Sequence, residues 1–134
     1  MSGVFAGMPH APKLFIAALL ITACLLPGIA AAASSLPRSC HSADLRYPFM
    51  PGGPDTFGVF GLRIAHGSCT TAHRVAKAWM SRFEAAFGAG HLILPRSVDG
   101  FRFRMLDVDE AQAFRERGQM GTTTIWFDYR IPNG

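Results

Sequence analysis

The most regular pattern of apolar and polar positions in the chain lies between residues 69 and 87. Apolar side chains recur there at spacings of three and four residues, the period of one face of an α-helix. They are Ala72, Val75, Ala76, Trp79, Met80, Phe83 and Phe87. Ser68 is a suitable N-cap, and Gly88 and Gly90 provide a stop. The pattern therefore predicts a helix over residues 69–87 whose apolar stripe packs against a sheet.

Strict alternation replaces the helical period in the last third of the chain. Residues 100–106 and 122–130 each place apolar side chains at every second position, which predicts two half-buried strands. The apolar members are Phe101, Phe103, Met105, Ile125, Phe127 and Tyr129.

The segment between these strands has two interpretations. Asp107 could cap a short helix running through Val108, Ala111 and Phe114, which local propensity favours. Residues 111–117 could instead form the middle strand of a β-meander.

The first half of the predicted domain contains weaker strand patterns. Leu45, Tyr47 and Phe49 alternate, which predicts a first strand, and Pro48 places that strand at an edge. Residues 51–55 predict a turn. Alternation over residues 62–66 then predicts a short segment leading into the helix.

The N-terminal segment has the layout of a secretory signal peptide. Lys13 precedes an apolar run from Leu14 to Leu26, and small residues follow it, with cleavage expected near Ala32 or Ala33. Pro27 and Gly28 end the run short of the ~20 residues that a membrane span requires. We therefore expect a signal peptide at 1–33, a short lead-in at 34–39, one domain at 40–134, and no membrane span after processing.

An alternative interpretation of the same segment is a lipoprotein signal. Residues 21–24 resemble a bacterial lipobox, in which Cys24 would be acylated and would anchor the protein. The apolar residues that follow Cys24 disfavour this interpretation, because a polar tether is more usual there.

Size and charge limit the possible functions only weakly. The processed chain of about a hundred residues is one domain with a modest core. The full chain has a net charge of +4, which falls to +3 when Lys13 is removed with the signal peptide. This charge is too small to identify a partner by itself. Arginine supplies nearly all of the positive charge, and it binds phosphate and carboxylate groups better than lysine does.

The two cysteines that remain after processing predict a disulfide. Exported proteins meet an oxidising environment, so we expect Cys40 and Cys69 to be linked. Their bond would close a loop of about thirty residues and contribute roughly 3–4 kcal/mol of stability. The alternative is a reactive Cys69 thiol at the helix N-terminus, with His73 as its base.

Other chemical signatures are absent from the sequence. No two of the remaining histidines have the spacing of a helical zinc pair, and there is no HExxH, nucleophile elbow, phosphate-binding loop or dinucleotide fingerprint. Asp107, Asp109 and Glu110 cluster in a predicted turn, where solvation explains them. The sequence therefore predicts neither a cofactor nor a metal site.

One segment carries a family resemblance. The string RIAHGSCTTAHRVAKAW, followed by GFRFR and a final strand, resembles a group of small exported bacterial proteins with a G-x-S-C-x-x-A-x-x-V-x-x-A-W-like segment. The resemblance covers roughly residues 40–130 and implies the fold and export, since no activity is established for the group. Its members typically carry two further cysteines, which Phe103 and Phe114 replace here.

The strand interpretation of residues 111–117 gives these phenylalanines a geometry. If residues 107–110 form the hairpin loop, Phe103 lies opposite Phe114, so an aromatic pair replaces the relatives' disulfide. If residues 118–121 form the next loop, Ile125 also aligns with Phe114. This coincidence favours the strand over the helix.

The same register predicts a basic surface on the side of the sheet away from the helix, with Arg102 opposite Arg115. Five arginines around one tryptophan there suit an acidic polymer or an acidic protein surface. The alternative is a solvated face whose charges keep the protein soluble. The predicted surface residues are Arg102, Arg104, Arg115, Arg117, Trp126, Asp128 and Arg130.

These observations predict an α+β domain with one amphipathic helix packed on a small antiparallel β-sheet, a C-terminal meander and one disulfide. The expected function is that of a secreted or envelope-associated, non-enzymatic binding module. A thiol-dependent enzyme using Cys69 and His73 is one alternative. A secreted inhibitor that presents the 50–55 loop is another. The sequence predicts neither the partner nor the oligomeric state.

Overall fold

A computed structural model describes residues 36–109 and 113–131. The predicted signal peptide at 1–33, and Cys24 of the lipoprotein alternative, lie outside these residues. Among the residues described, no helix is long and apolar enough to cross a membrane.

The described residues form one helix and one antiparallel sheet of seven strands. The sheet order is β1-β3-β7-β6-β5-β4, and β2 pairs with the other half of β3. A short 3-10 helix, Ala43–Leu45, precedes β2, and the helix packs on one face of the sheet. The predicted α+β class is confirmed. The elements are β1 (Arg38–Ser39), β2 (Arg46–Pro48), β3 (Asp55–Ala65), α1 (Cys69–Gly88), β4 (Ser97–Val98), β5 (Phe101–Val108), β6 (Ala113–Met120) and β7 (Thr123–Arg130).

Local signals determine both ends of α1. The Ser68 hydroxyl oxygen accepts a hydrogen bond from the Thr71 N–H at 3.1 Å, and the Ser68 carbonyl accepts one from the Ala72 N–H at 3.0 Å. Gly90, just past the helix, has a φ of 81°, which glycine adopts without steric penalty. The helix predicted over residues 69–87 is confirmed, with Gly88 added.

Trp79 lies at the centre of the core between α1 and the sheet. Its ring centroid is 5.5 Å from that of Phe83, 5.2 Å from that of Phe127 and 5.3 Å from that of Tyr129. Its indole N–H donates to the Pro95 carbonyl at 3.1 Å, which holds the segment after the helix against the core. The predicted stripe is thus buried as far as Phe83.

The strands before α1 differ from the sequence prediction. Of the strand predicted through Leu45, Tyr47 and Phe49, only the part Arg46–Pro48 is strand, and it lies at the edge as expected. Leu45 is buried in the 3-10 turn, and Phe49 is exposed. β3 is much longer than the predicted segment at 62–66. A bulge between Phe60 and Arg63 breaks its alternation, which explains why the sequence pattern indicated only the last part of the strand. Gly58 lets β3 approach the preceding segment, since a Cβ there would lie 2.1 Å from a backbone oxygen.

The middle segment of the C-terminal meander is a strand. Val108 ends β5 and Phe114 lies in β6, so the helical interpretation through Val108, Ala111 and Phe114 is wrong for its described residues. Asp107 caps no helix. Its Oδ1 accepts a hydrogen bond from the adjacent Val108 N–H at 2.9 Å.

The predicted register of the meander is wrong by four residues. Phe103 lies opposite Gly118, and Phe114 lies opposite Tyr129, so the two phenylalanines do not pair. β6 continues through residues 118–120, which were predicted to be loop, and a Cβ on Gly118 would lie only 2.5 Å from the Phe103 ring. Because four is an even number, each side chain keeps its predicted face of the sheet.

Candidate functional site

The face of the sheet opposite α1 carries the predicted arginines, and we call it the outer face. Cross-strand pairing places Arg63, Trp126, Arg117 and Arg104 side by side on β3, β7, β6 and β5, a set that we call the arginine row. Directly paired residues have Cβ atoms ~5 Å apart. No carboxylate lies within the arginine row. The charged residues of the outer face are Arg46, Arg63, Arg102, Arg104, Arg115, Arg117, Arg130, Asp107 and Asp128.

A shallow basin of about 420 Å³ lies at one end of the arginine row. Arg102, Arg104, Arg117 and Gln119 help to line it. Arg117 Nη2 donates to Gln119 Oε1 at 3.2 Å, whereas Arg117 Nε is buried without a partner in the described ranges. Three guanidinium groups around one depression can hold a phosphate or carboxylate through charge-assisted hydrogen bonds.

Arg115 does not belong to this basin. It lies opposite Asp128 on β7 and opposite Asp107 on β5, and its Nε donates to Asp128 Oδ1 at 3.1 Å. The predicted pairing of Arg115 with Arg102 is therefore wrong, since Arg102 lies opposite Gln119. Two arginines that do lie directly opposite each other on this face are Arg104 on β5 and Arg117 on β6, both in the arginine row.

Arg130 lies on the outer face and is the last residue of β7. Its guanidinium carbon is 4.2 Å from the centroid of the Phe60 ring, and that of Arg46 is 4.5 Å from the same centroid. Both contacts lie within the range of cation–π attraction. Arg46, Phe60 and Arg63 were not predicted to lie on this face. Phe60 precedes the segment predicted at 62–66, and the pairing of β2 with β3 and of β3 with β7, which brings the three residues here, leaves no signal in local alternation.

Cys69 is not a free thiol. Its Sγ is 2.03 Å from that of Cys40, and the two Cα atoms are 5.3 Å apart. The predicted disulfide is confirmed, and the thiol–base arrangement is wrong. His73 Nε2 instead lies 2.8 Å from Asp44 Oδ2, and this hydrogen bond lowers the pKa of the Asp44 carboxyl.

A second feature lies on the same side of the sheet as α1. Glu116 is only 1% exposed, and its Oε1 has no hydrogen-bond partner among the described residues. Burial raises the pKa of Glu116 from 4.5 to about 7. Glu116 was not among the predicted site residues, although a strand through Phe114 and Gly118 places it at an inward position.

The loop of the inhibitor alternative connects β2 to β3. Residues 51–55 are exposed, and the side chains of Phe49 and Met50 are 61% and 66% exposed. At its base, the rings of Tyr47 and Phe57 are 5.4 Å apart. The loop is thus an accessible tip on an ordered hairpin.

Residues 36–109 and 113–131 contain no group of three or more His, Cys, Asp or Glu side chains that could hold a metal ion. Comparison with family models, with curated proteins and with solved structures finds no match for the chain.

Proposed function

We propose that the protein is an exported, non-enzymatic binding domain, secreted or held at the cell envelope, whose outer face binds an anionic polymer. The supporting observation is the arginine row, which places three guanidinium groups and one indole in a line across four strands. A line of cations beside a flat ring suits a chain of phosphate or carboxylate groups.

The distribution of charge favours this proposal over a face that is merely solvated. The outer face carries seven arginines and two aspartates, whereas the other described residues carry five basic and six acidic side chains. The small net charge of the chain is thus concentrated on one surface. A surface of this kind attracts and orients an anionic partner.

Three features support export. The disulfide between Cys40 and Cys69 fits an oxidising compartment. The leader pattern of residues 1–33 and the resemblance to small exported bacterial proteins favour the same location. Acylation at Cys24 would keep the domain at the envelope, and cleavage near Ala32 would release it.

The test is a titration with polyphosphate and with polyglutamate, with uncharged dextran as the polymer control. We expect Arg104→Ala and Arg117→Ala each to weaken polyanion binding by about five- to tenfold, because each removes a charge-assisted contact. Trp126→Ala should weaken it as well. Each arginine that contacts the polymer should also contribute about one unit to the salt dependence of binding.

Lys77→Ala is the matched control, because it removes the same charge from the exposed face of α1. It should leave polyanion binding almost unchanged. Equal weakening by Lys77→Ala and Arg104→Ala would show that only the net charge matters and would refute the proposed binding face.

The exposed tip formed by Phe49 and Met50 favours a second candidate function, that of a secreted inhibitor. Apolar side chains on an ordered hairpin can enter the specificity pockets of an enzyme. A panel of secreted proteases, assayed with the wild type and with the Phe49→Ser/Met50→Ser variant, tests this candidate. Inhibition that the double variant loses would support it, and no inhibition by the wild type would exclude the proteases tested.

A further inference from the structure

A cleft of about 500 Å³ lies between β5 and the loop at residues 91–95, which follows α1. This volume falls within the range of about 300–1,000 Å³ that is usual for small-molecule sites. Apolar side chains and two arginines form its walls, and one carboxyl group contributes to its lining. The residues that define its character are Leu92, Ile93, Leu94, Pro95, Met105 and Glu116.

The carboxyl group in this cleft has no compensating partner in the part of the chain that the structure describes. Glu116 is 99% buried, and its Oε1 forms no hydrogen bond with any described residue. Arg96 and Arg104 also line the cleft, but both side chains are exposed. An unpaired polar group in such a position normally lowers the free energy of unfolding of a protein, because its lost hydration is not replaced. A ligand that supplies the missing partner recovers this free energy on binding.

Several apolar side chains that line the cleft are exposed to solvent. Leu92 and Ile93 are 63% and 59% exposed, and Met105 is nearly half exposed. These side chains offer apolar contact to whatever enters the cleft, next to an uncompensated carboxyl group. The ligand therefore needs both an apolar body and a group that donates hydrogen bonds to a carboxylate.

We propose that this cleft binds a small organic cation, namely a primary amine or guanidine carried on an apolar body, with its charged group against Glu116. An ammonium or guanidinium group satisfies the carboxylate by charge-assisted hydrogen bonds in a buried setting, where they are strong. The body of the ligand lies along the exposed apolar wall. Arg96 and Arg104 interact with the ligand less than Glu116 does, because water screens exposed charges.

Hexylammonium, hexanol and hexanoate are matched probes, since each is an unbranched chain of six carbon atoms and they differ in the charge of the terminal group. We expect the wild type to bind hexylammonium at least about tenfold more tightly than the other two, as measured by calorimetry. Glu116→Gln should abolish this preference while keeping weak binding of hexanol. Equal binding of the three probes by the wild type, or binding of none of them, would overturn the proposal.

The pH dependence gives a second test that needs no variant of Glu116. Hexylammonium should bind more tightly as the pH rises towards about 7, because Glu116 must lose its proton to pair with the amine. In ¹³C spectra of the wild type, hexylammonium should lower the pKa of the Glu116 carboxyl. His91 lies at the start of the loop, so His91→Ala serves as the control and should keep the effect. An unchanged carboxyl pKa would contradict the proposal even if Glu116→Gln failed to fold.

Discussion

Glu116 occupies a position of β6 where the inward face requires an apolar side chain. Its inward orientation follows from alternation, because Phe114 and Gly118 on either side of it face α1. Its lack of a partner does not follow from alternation. That depends on how the loop at 91–95 packs over β5, and tertiary contacts of this kind leave no periodic signal in the sequence.

The raised pKa of Glu116 predicts that the protein loses stability as the pH rises. The unfolded chain releases this proton near pH 4.5 and the folded protein near pH 7, so ionisation favours the unfolded state. The free energy of unfolding should therefore fall through this window. We expect a loss of about 2 kcal/mol between about pH 5 and pH 8, measured by urea denaturation.

Glu116→Gln isolates this effect, because glutamine keeps the shape and does not ionise. The difference in unfolding free energy between variant and wild type should grow in favour of the variant as the pH rises. Other groups that titrate in this range affect both proteins equally. A constant difference across the range would show that Glu116 ionises as easily in the folded protein as in the unfolded chain.

The spacing of Cys69 and His73 could not by itself decide between two roles for the cysteine. Their spacing on α1 fits both a disulfide partner beside an unrelated histidine and a thiol with its base. The oxidising environment expected for an exported chain favoured the disulfide, which the structure confirms. The actual partner of His73 is Asp44, which lies in the 3-10 turn before β2 and has no local relation to α1.

At the scale of elements, α1 could be predicted almost completely and the hairpin register could not. The period, the Ser68 cap and the glycine stop are all local to α1. The register depends instead on a contact across strands, the packing of the Phe103 ring on Gly118. Glycine in a sequence indicates a turn more often than a strand, which explains the misplaced loop.

Phe83→Ala should strongly destabilise the packing of α1 on the sheet. The Phe83 ring is 1% exposed and its centroid lies 4.9 Å from that of Tyr129 and 6.0 Å from that of Phe114. We expect the free energy of unfolding to fall by about 3–5 kcal/mol. Phe87→Ala is the matched control on the same stripe, and its cost should be much smaller because Phe87 is 48% exposed. Similar losses for the two variants would contradict the assigned helix face.

Gly118→Ala tests the observed register. A methyl group at this position would meet the Phe103 ring, which is itself held by Trp79 and Phe127. We expect a loss of about 1–3 kcal/mol in denaturant unfolding, typical of overpacking. Gly88→Ala adds the same methyl group in open space at the end of α1, so it should be neutral or slightly stabilising. If Gly118→Ala were also neutral, Phe103 could not lie over Gly118.

At the scale of the whole molecule, the sequence predicted the outer face better than its internal pairs. Alternation placed all five predicted surface arginines and the one tryptophan on one face, and the even displacement of the register left that face unchanged. It could not show that Asp128 neutralises Arg115, or that Arg130 stacks on Phe60. Among residues 36–109 and 113–131, the outer face is therefore a basic surface whose arginine row and basin have no carboxylate partner.

The disulfide connects the edge of the sheet to the start of the helix and thereby constrains the whole domain. Cys40 follows β1 and Cys69 begins α1, with a sequence separation of 29. The Cys40→Ala/Cys69→Ala variant should lose about 3–4 kcal/mol of unfolding free energy, because its unfolded chain gains the freedom of an open loop. Denaturation with and without reductant checks the cause: reductant should destabilise the wild type to the level of the variant and leave the variant unaffected. A loss below about 1 kcal/mol would mean that the bond does not constrain the unfolded chain. The outer face does not contain the bond, so the folded variant should still bind polyanion.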